Sequence, residues 1–228
     1  MQKKAIILFS GGLDSTTCLA LAKSQDFSCY ALSFEYGQKN RIEIDNAKRA
    51  AHKFQVIEHK ILSIPVDALR GSACTDPSLV VPDYDGSEGI PVTYVPARNT
   101  IFLSFALAWA EVIGANDLFF GANHDDFMGY PDCRPNYFHA FTTMANLATK
   151  AGVEGQSFII HTPLLLLSKA EVIKEGSRLG VDYSMAISCY RPNAEGHSCG
   201  SCLSCVLRKK GFAEAGVTDP AVYLSAQS

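Results

Sequence analysis

No run of apolar residues in the 228-residue chain approaches the roughly 20 that a helix needs to cross a bilayer. The N-terminal run Ala5 to Phe9 is too short for the apolar region of a secretory signal and passes at once into a glycine pair. The chain is therefore read as cytoplasmic, with no membrane partner. Net charge is scarce as well, at −3, and the one basic run is Arg208-Lys209-Lys210. Nothing in this balance draws the chain to nucleic acid, and none is expected as a partner. Charged residues make up 19% and apolar ones 47%, the proportions of a folded globular protein. A chain of this length can bury a full core in one domain with a small appendage. Cysteine is not scarce: eight are present. Without export they stay reduced, and disulfides are not expected.

A lysine is missing from Ser10-Gly11-Gly12-Leu13-Asp14-Ser15, where none follows until Lys23, so this is not a Walker loop. What stands there is a glycine pair at the seam between a short apolar strand and a helical pattern with Cys18, Leu19, Leu21 and Ala22 on one side. Glycine lets the backbone turn tightly and bring N–H groups close to a ligand. With the positive end of the following helix dipole, these make a site for phosphate. Ser10 and Ser15 add hydroxyls, and Asp14 a carboxylate suited to Mg²⁺ or to ordering the loop.

From there the chain alternates. Strands are predicted over Ser28 to Phe34, Val56 to Leu62, Leu118 to Gly121 and Phe158 to His161. Helices are predicted from Arg41 to Lys53, from Asn99 or Thr100 as cap to Gly114, and from Phe138 to Ala151 with Gly152 beyond its end. A last one opens at the Ser168-Lys169-Ala170-Glu171 capping box and stops at Gly180. The alternation predicts an α/β fold, a doubly wound parallel five-stranded sheet. The helix after Asn99 is apolar nearly all round and is expected to be buried on the sheet. Residues 63–96, rich in proline and glycine, read as a lid or subunit-contact loop with one helical turn near Pro65 to Leu69.

Ligands in such sheets sit beyond the carboxyl ends of the strands, where the loop after Phe9 falls. Four further groups belong at that end. Glu35-Tyr36-Gly37-Gln38 either lines the crevice or is a surface turn. Arg98, at the mouth of a buried helix, suits a phosphate or carboxylate, or a structural ion pair. Asp126 is a candidate for Mg²⁺ or substrate, Asp132 for a guanine-like N–H edge and Arg134 for a substrate carboxylate. Lys169, at a helix start, reaches a phosphate or is solvated.

The cysteines are unevenly spread. Cys189, Cys199, Cys202 and Cys205 crowd together, the last two gaps being two residues each. That is the spacing of a closed four-thiolate Zn²⁺ site, structural rather than catalytic, with Cys205 on the first turn of a helix. A redox or sulfur-carrying thiol pair is the competing reading. The site marks off a C-terminal zinc-binding segment, residues 181–228, from a phosphate-binding α/β domain over 1–180.

Taken together, FSGGLDSTTCL, FEYGQ, VPARN, GYPDCR, HTPL with its later SKAE, and CYRPNAEGHSCGSCLSCVLRKKGF resemble the QueC family of 7-cyano-7-deazaguanine synthases. These belong to the PP-loop ATP pyrophosphatases, and the motifs span residues 9–212. The resemblance implies a Rossmann-like fold of the adenine nucleotide alpha hydrolase type. It implies ATP with Mg²⁺, ammonium and 7-carboxy-7-deazaguanine as small-molecule substrates, a structural Zn²⁺ and a homodimer. The carboxylate is adenylated and attacked by ammonia, then the amide is activated in turn and dehydrated. With no glutaminase domain, free ammonia is the expected nitrogen source unless a partner supplies it. ATP binding falls on Phe9, Ser10, Gly11, Gly12, Leu13, Asp14, Ser15, Thr16, Thr17, Cys18 and Leu19. Asp14, Ser15, Arg98 and Asp126 form the catalytic set, and Arg98, Asp126, Tyr130, Asp132, Arg134 and Lys169 the substrate contacts. At Asn123-His124-Asp125 the chain departs from the family's usual tripeptide, and no role is carried onto His124 or Asp125. The rival enzyme is a tRNA-modifying PP-loop protein, a thiolase or lysidine-type ligase, which needs a basic face. The rival outside catalysis is a zinc-stabilised nucleotide-binding regulator.

Overall fold

Side chains of a strand alternate between two faces, yet every residue from Ala5 to Phe9 is buried. Helices must therefore cover both sides of this strand. In the computed structural model, which describes residues 2–40, 42–87 and 89–225, they do. Strands β1 (Lys4–Leu8), β2 (Ser28–Glu35), β3 (Glu58–Ser63), β4 (Asp117–Phe119) and β5 (Ile159–His161) form one sheet in the order β3-β2-β1-β4-β5. Every pairing is parallel. Ala5, Ile7 and Phe9 pack with α1 (Leu13–Ser24), α2 (Ile42–Lys53), α7 (Lys169–Arg178) and α8 (Leu203–Ala215). Ile6 and Leu8 pack on the other face with α3 (Arg98–Ile113) and α5 (Pro135–Ala148). The short helices α4 (His124–Gly129) and α6 (Lys150–Val153) complete the set. The doubly wound sheet has the predicted strand count and direction.

Boundaries moved by a few residues, and some readings are corrected. The predicted start at Arg41 lies outside the described residues. Neither Asn99 nor Thr100 caps α3: the helix starts at Arg98, and left-handed Ala97 precedes it. The Asn99 amide instead turns inward, donating to the Asp132 carbonyl at 3.4 Å and to the Cys133 sulfur at 3.2 Å. The α3 helix packs on the sheet as expected through Leu103, Ala106, Leu107 and Ala110, while Phe105 and Val112 face solvent. The predicted helix over Phe138 to Ala151 begins earlier and stops at Ala148, because Thr149 is extended and its hydroxyl caps α6. Gly152 lies inside α6, where a Cβ would come within 2.3 Å of the Asn146 carbonyl.

Residues 63–96 contain the expected turn, Val66–Leu69. The segment is pinned to the cysteine-rich tail by Tyr84 N–H on the Ser201 carbonyl at 2.9 Å and Arg191 on the Val81 carbonyl at 2.8 Å. Arg208 does not contribute to a basic face. It is buried, paired with Asp219 at 2.9 Å and donating to the carbonyls of Ala186 and Tyr183.

Gly11 is fixed twice, by φ +78° and by α2, whose Ala47 nitrogen would lie 2.6 Å from an added Cβ. Gly11→Ala is therefore expected to cost about 2 kcal/mol or more. Thermal unfolding followed by circular dichroism should show a midpoint roughly 5 °C lower.

Candidate active site and four-cysteine centre

The turn after β1 is held by its own polar side chains. The Ser10 and Ser15 hydroxyls stand 3.1 Å apart, Gly12 N–H donates to Ser10 Oγ at 3.2 Å, and Thr16 Oγ1 donates to the Gly12 carbonyl at 2.8 Å. Gly12 caps α1 with extended backbone and no side-chain acceptor on the first N–H groups. Those amides have no helical partner and face the open end of the sheet.

A cavity of about 290 Å³ opens there, lined by Phe9, Ser10, Gly12, Leu13, Asp14 and Ser15. Thr16, Thr17, Cys18 and Leu19 do not line it. Thr17 bonds the Tyr183 hydroxyl at 2.8 Å, and Cys18 and Leu19 belong to the core between helix and sheet. One wall carries Phe34, Tyr36, Gln38 and Phe102, with Phe34 and Phe102 stacked at 3.9 Å. The Glu35-Tyr36-Gly37-Gln38 stretch thus reaches the crevice through Tyr36 and Gln38. Arg98 lies in this wall and donates to the Tyr36 hydroxyl at 3.1 Å.

The cavity also brings together Asp126, Tyr130, Asp132 and Lys169. Lys169 Nζ lies 2.9 and 2.8 Å from the two Asp14 oxygens, so the helix-start lysine is not solvated. Asp126 has a structural task that the sequence reading missed: it closes a capping box with Asn123, accepting its N–H at 3.1 Å. Asp132 accepts the Asn99 N–H on one oxygen at 3.1 Å. Tyr130 shares its hydroxyl with Tyr190 at 3.2 Å and Thr93 at 3.4 Å. Arg134 is exposed and does not line the cavity.

Glu43 and Asn40, which the sequence reading did not single out, line the cavity beside Ser10. Burial pushes the Glu43 carboxyl up to about 7, with Arg98 and the Ser10 hydroxyl pulling the other way. Burial also raises Asp126 to about 6, reinforced by the Asp14 charge and opposed by Lys169.

The four tail cysteines converge. Their sulfurs lie within 4.8 Å of one another, and Cys199 and Cys205 are 3.9 Å apart. A tetrahedral ion with bonds of about 2.3 Å places sulfurs roughly 3.8 Å apart, so the cluster could hold a metal such as zinc. Backbone N–H groups of Arg191 and Cys199 point at Cys189 Sγ, and that of Cys202 at Cys199 Sγ, as thiolate ligands require. Hydrogen bonds from Cys189 and Cys205 hold the Cys202 thiol far below its ordinary value. Cys189 and Tyr190 also line the cavity, so the two centres share a wall.

Lys169→Met should leave Asp14 and Asp126 facing each other uncompensated, at a cost of about 3 kcal/mol. Because Asp126 has its folded pKa raised, its ionised form opposes folding as pH rises through the window ending near 6. The deficit should therefore be larger in denaturant melts at about pH 8 than at about pH 5.

The model of the family described as queuosine biosynthesis protein QueC matches residues 4–216. A 7-cyano-7-deazaguanine synthase of Coxiella burnetii is 60% identical over 224 residues, covering 98% of this chain and 99% of that one. One of Stutzerimonas stutzeri is 57% identical over 222 residues, covering 97% and 99%. Among solved structures, a chain from Methanocaldococcus jannaschii described as a predicted subunit of tRNA methyltransferase aligns with a TM-score of 0.50 at 14% identity, covering 99% of this chain and 94% of that one. That likeness is one of fold alone. A match along nearly the whole chain, at this identity, means that the protein belongs to the QueC family of queuosine biosynthesis proteins.

Proposed function

We propose that the chain is an ATP-dependent 7-cyano-7-deazaguanine synthase, a ligase forming a carbon–nitrogen bond from 7-carboxy-7-deazaguanine and ammonium. The observation that carries this reading is the cavity where the Ser10–Ser15 loop, Arg98, Asp126 and Lys169 meet. A substrate carboxylate oxygen attacks the α-phosphorus of ATP, and pyrophosphate leaves into the loop amides and the Ser10 and Ser15 hydroxyls. Ammonia then displaces AMP from the acyl carbon to give the amide. In the second round the amide oxygen takes AMP from another ATP, and loss of AMP with two protons leaves the nitrile.

The residues act by position and charge rather than as nucleophiles. Lys169 neutralises charge developing on the phosphates, and Arg98 orients the substrate carboxylate. Phe34, Tyr36 and Phe102 supply an apolar wall for the adenine. Tyr130 and the second oxygen of Asp132 face the deazapurine edge. Asp14 and Asp126 are hard oxygen donors that would hold Mg²⁺, which screens the pyrophosphate charge. The four cysteines would hold Zn²⁺ with no open position, bracing the tail against residues 73–81. Division into a 1–180 ATP-binding domain and a 181–228 zinc segment belongs to the same reading. So do a cytoplasmic setting, where the thiols stay reduced, and a homodimer. The homodimer is supported by Val112, Leu147 and Val153, each at least 75% exposed where α3 meets α6.

Purified protein incubated with ATP, Mg²⁺, ammonium and the deazaguanine acid should form the nitrile by mass spectrometry. Absence of product with folded protein would overturn the reading. Asp14→Ala should lower turnover at least a hundredfold with an unchanged circular dichroism spectrum. Cys202→Ser should lose the bound metal, read by atomic absorption, together with much of the soluble protein.

A further inference from the structure

We propose that Glu43 and Asn40 form an ammonium-binding corner of this cavity, in which the Glu43 carboxylate takes the proton that converts ammonium into the attacking ammonia. The inference rests on the synthase reading and adds to it the site of the nitrogen substrate.

Ammonium has four N–H donors, a positive charge and no lone pair. Its site must offer acceptors and negative charge, shielded from water. The loop amides, Lys169 and Arg98 are donors suited to phosphate or carboxylate. The other carboxylates are engaged. Both Asp14 oxygens face Lys169, and Asp126 and Asp132 each accept a backbone N–H.

Beside Ser10 stand two acceptors that, among the described residues, have neither a lysine nor a backbone N–H as partner. Among the described residues no cation stands within 4.0 Å of the Glu43 carboxylate. Asn40 is only 7% exposed, and its Oδ1 is buried with no hydrogen-bond partner. The amide orientation is fixed by its other end, since Nδ2 donates to the Cys189 carbonyl at 3.2 Å. A buried unpaired acceptor costs stability unless a ligand completes it. Three positions apart where α2 begins, the two residues line the cavity next to Ser10. That places them at the loop that holds the phosphates.

The groups facing Glu43 are Arg98 from α3, Tyr36 after β2, Cys74 from the 63–96 segment and the Ser10 hydroxyl. Burial outweighs Arg98 and Ser10 here, so the carboxyl exchanges a proton near neutrality. The step balances. Ammonium gives one proton to Glu43, and the freed lone pair forms the C–N bond as the bond from the acyl carbon to the AMP oxygen breaks. The nitrogen loses a second proton, and both protons pass to solvent, leaving neutral amide and AMP.

Steady-state kinetics on the full-length protein test this. Glu43→Gln should raise KM for ammonium about tenfold or more and leave KM for ATP within about twofold, the loss of one charged hydrogen bond. Hydroxylamine, which arrives unprotonated, should form the hydroxamate equally well with Glu43→Gln and parent. Glu43→Asp should fall between them for ammonium, and it carries the test if the glutamine variant does not fold. An unchanged ammonium KM would overturn the proposal. A rise in ATP KM instead, or an equal loss with hydroxylamine, would also overturn it by placing Glu43 on the nucleotide. If the parent protein makes no AMP with either nucleophile, the synthase reading fails too; if only the variant comparison fails, that reading stands.

Discussion

The contact between the backbone of α2 and Gly11 governs the geometry of the site. With an Ala47 nitrogen 2.6 Å from where a Cβ would stand, only glycine allows the helix this close to the turn. That approach seats the loop between two helices. The N-terminus of α1 aims its free amides at the cavity, and the first turn of α2 sets Glu43 beside Ser10. A shift of α2 away from the sheet would separate the carboxylate from the loop and open the apolar layer of Ala47, Ala50 and Ala51.

Charge in the cavity is sorted by element. Donors come from the loop, from Lys169 at the start of α7 and from Arg98 at the start of α3. Acceptors come from Asp14 at the start of α1, from α2 and α4, and from the short turn Pro131–Cys133. Lys169 joins the sets by pairing with Asp14 while lowering Asp126 against the pull of burial. A lysine so placed can trade its carboxylate for a phosphate at little electrostatic cost, because both partners are anionic. The cysteine centre is coupled to the same cavity through Cys189, Tyr190 and the Tyr190–Tyr130–Thr93 hydroxyl chain. A metal in that centre would therefore order one wall of the active site as well as the tail.

What was legible in the sequence was local. The apolar strand before Gly11, the Ser168–Glu171 capping box and the cysteine spacing each depend on residues a few positions apart, and each is found in the structure. Glu43 was not legible, because an acid in the first turn of an amphipathic helix looks like ordinary dipole compensation. Only the distant approach of α2 to the loop turns it into a cavity group. Arg208 was misleading in the same way: in sequence it opens a basic run, but in the fold Asp219 and two carbonyls enclose it. The Asn123–Asp126 capping box was readable by spacing, with Asn three residues before Asp at a helix start. Asn99 was assigned as a cap because caps are read from chain neighbours; its partner, Asp132, is a contact across the fold.

Isotope transfer offers the most direct test of the central claim, that the loop grips pyrophosphate while AMP passes to the acid. The deazaguanine acid, labelled with ¹⁸O in its carboxylate, is turned over with ATP and ammonium, and the nucleotide products are read by mass spectrometry. The account predicts ¹⁸O in the phosphate of AMP and unlabelled pyrophosphate. Label in inorganic phosphate, with ADP as the nucleotide product, would contradict it.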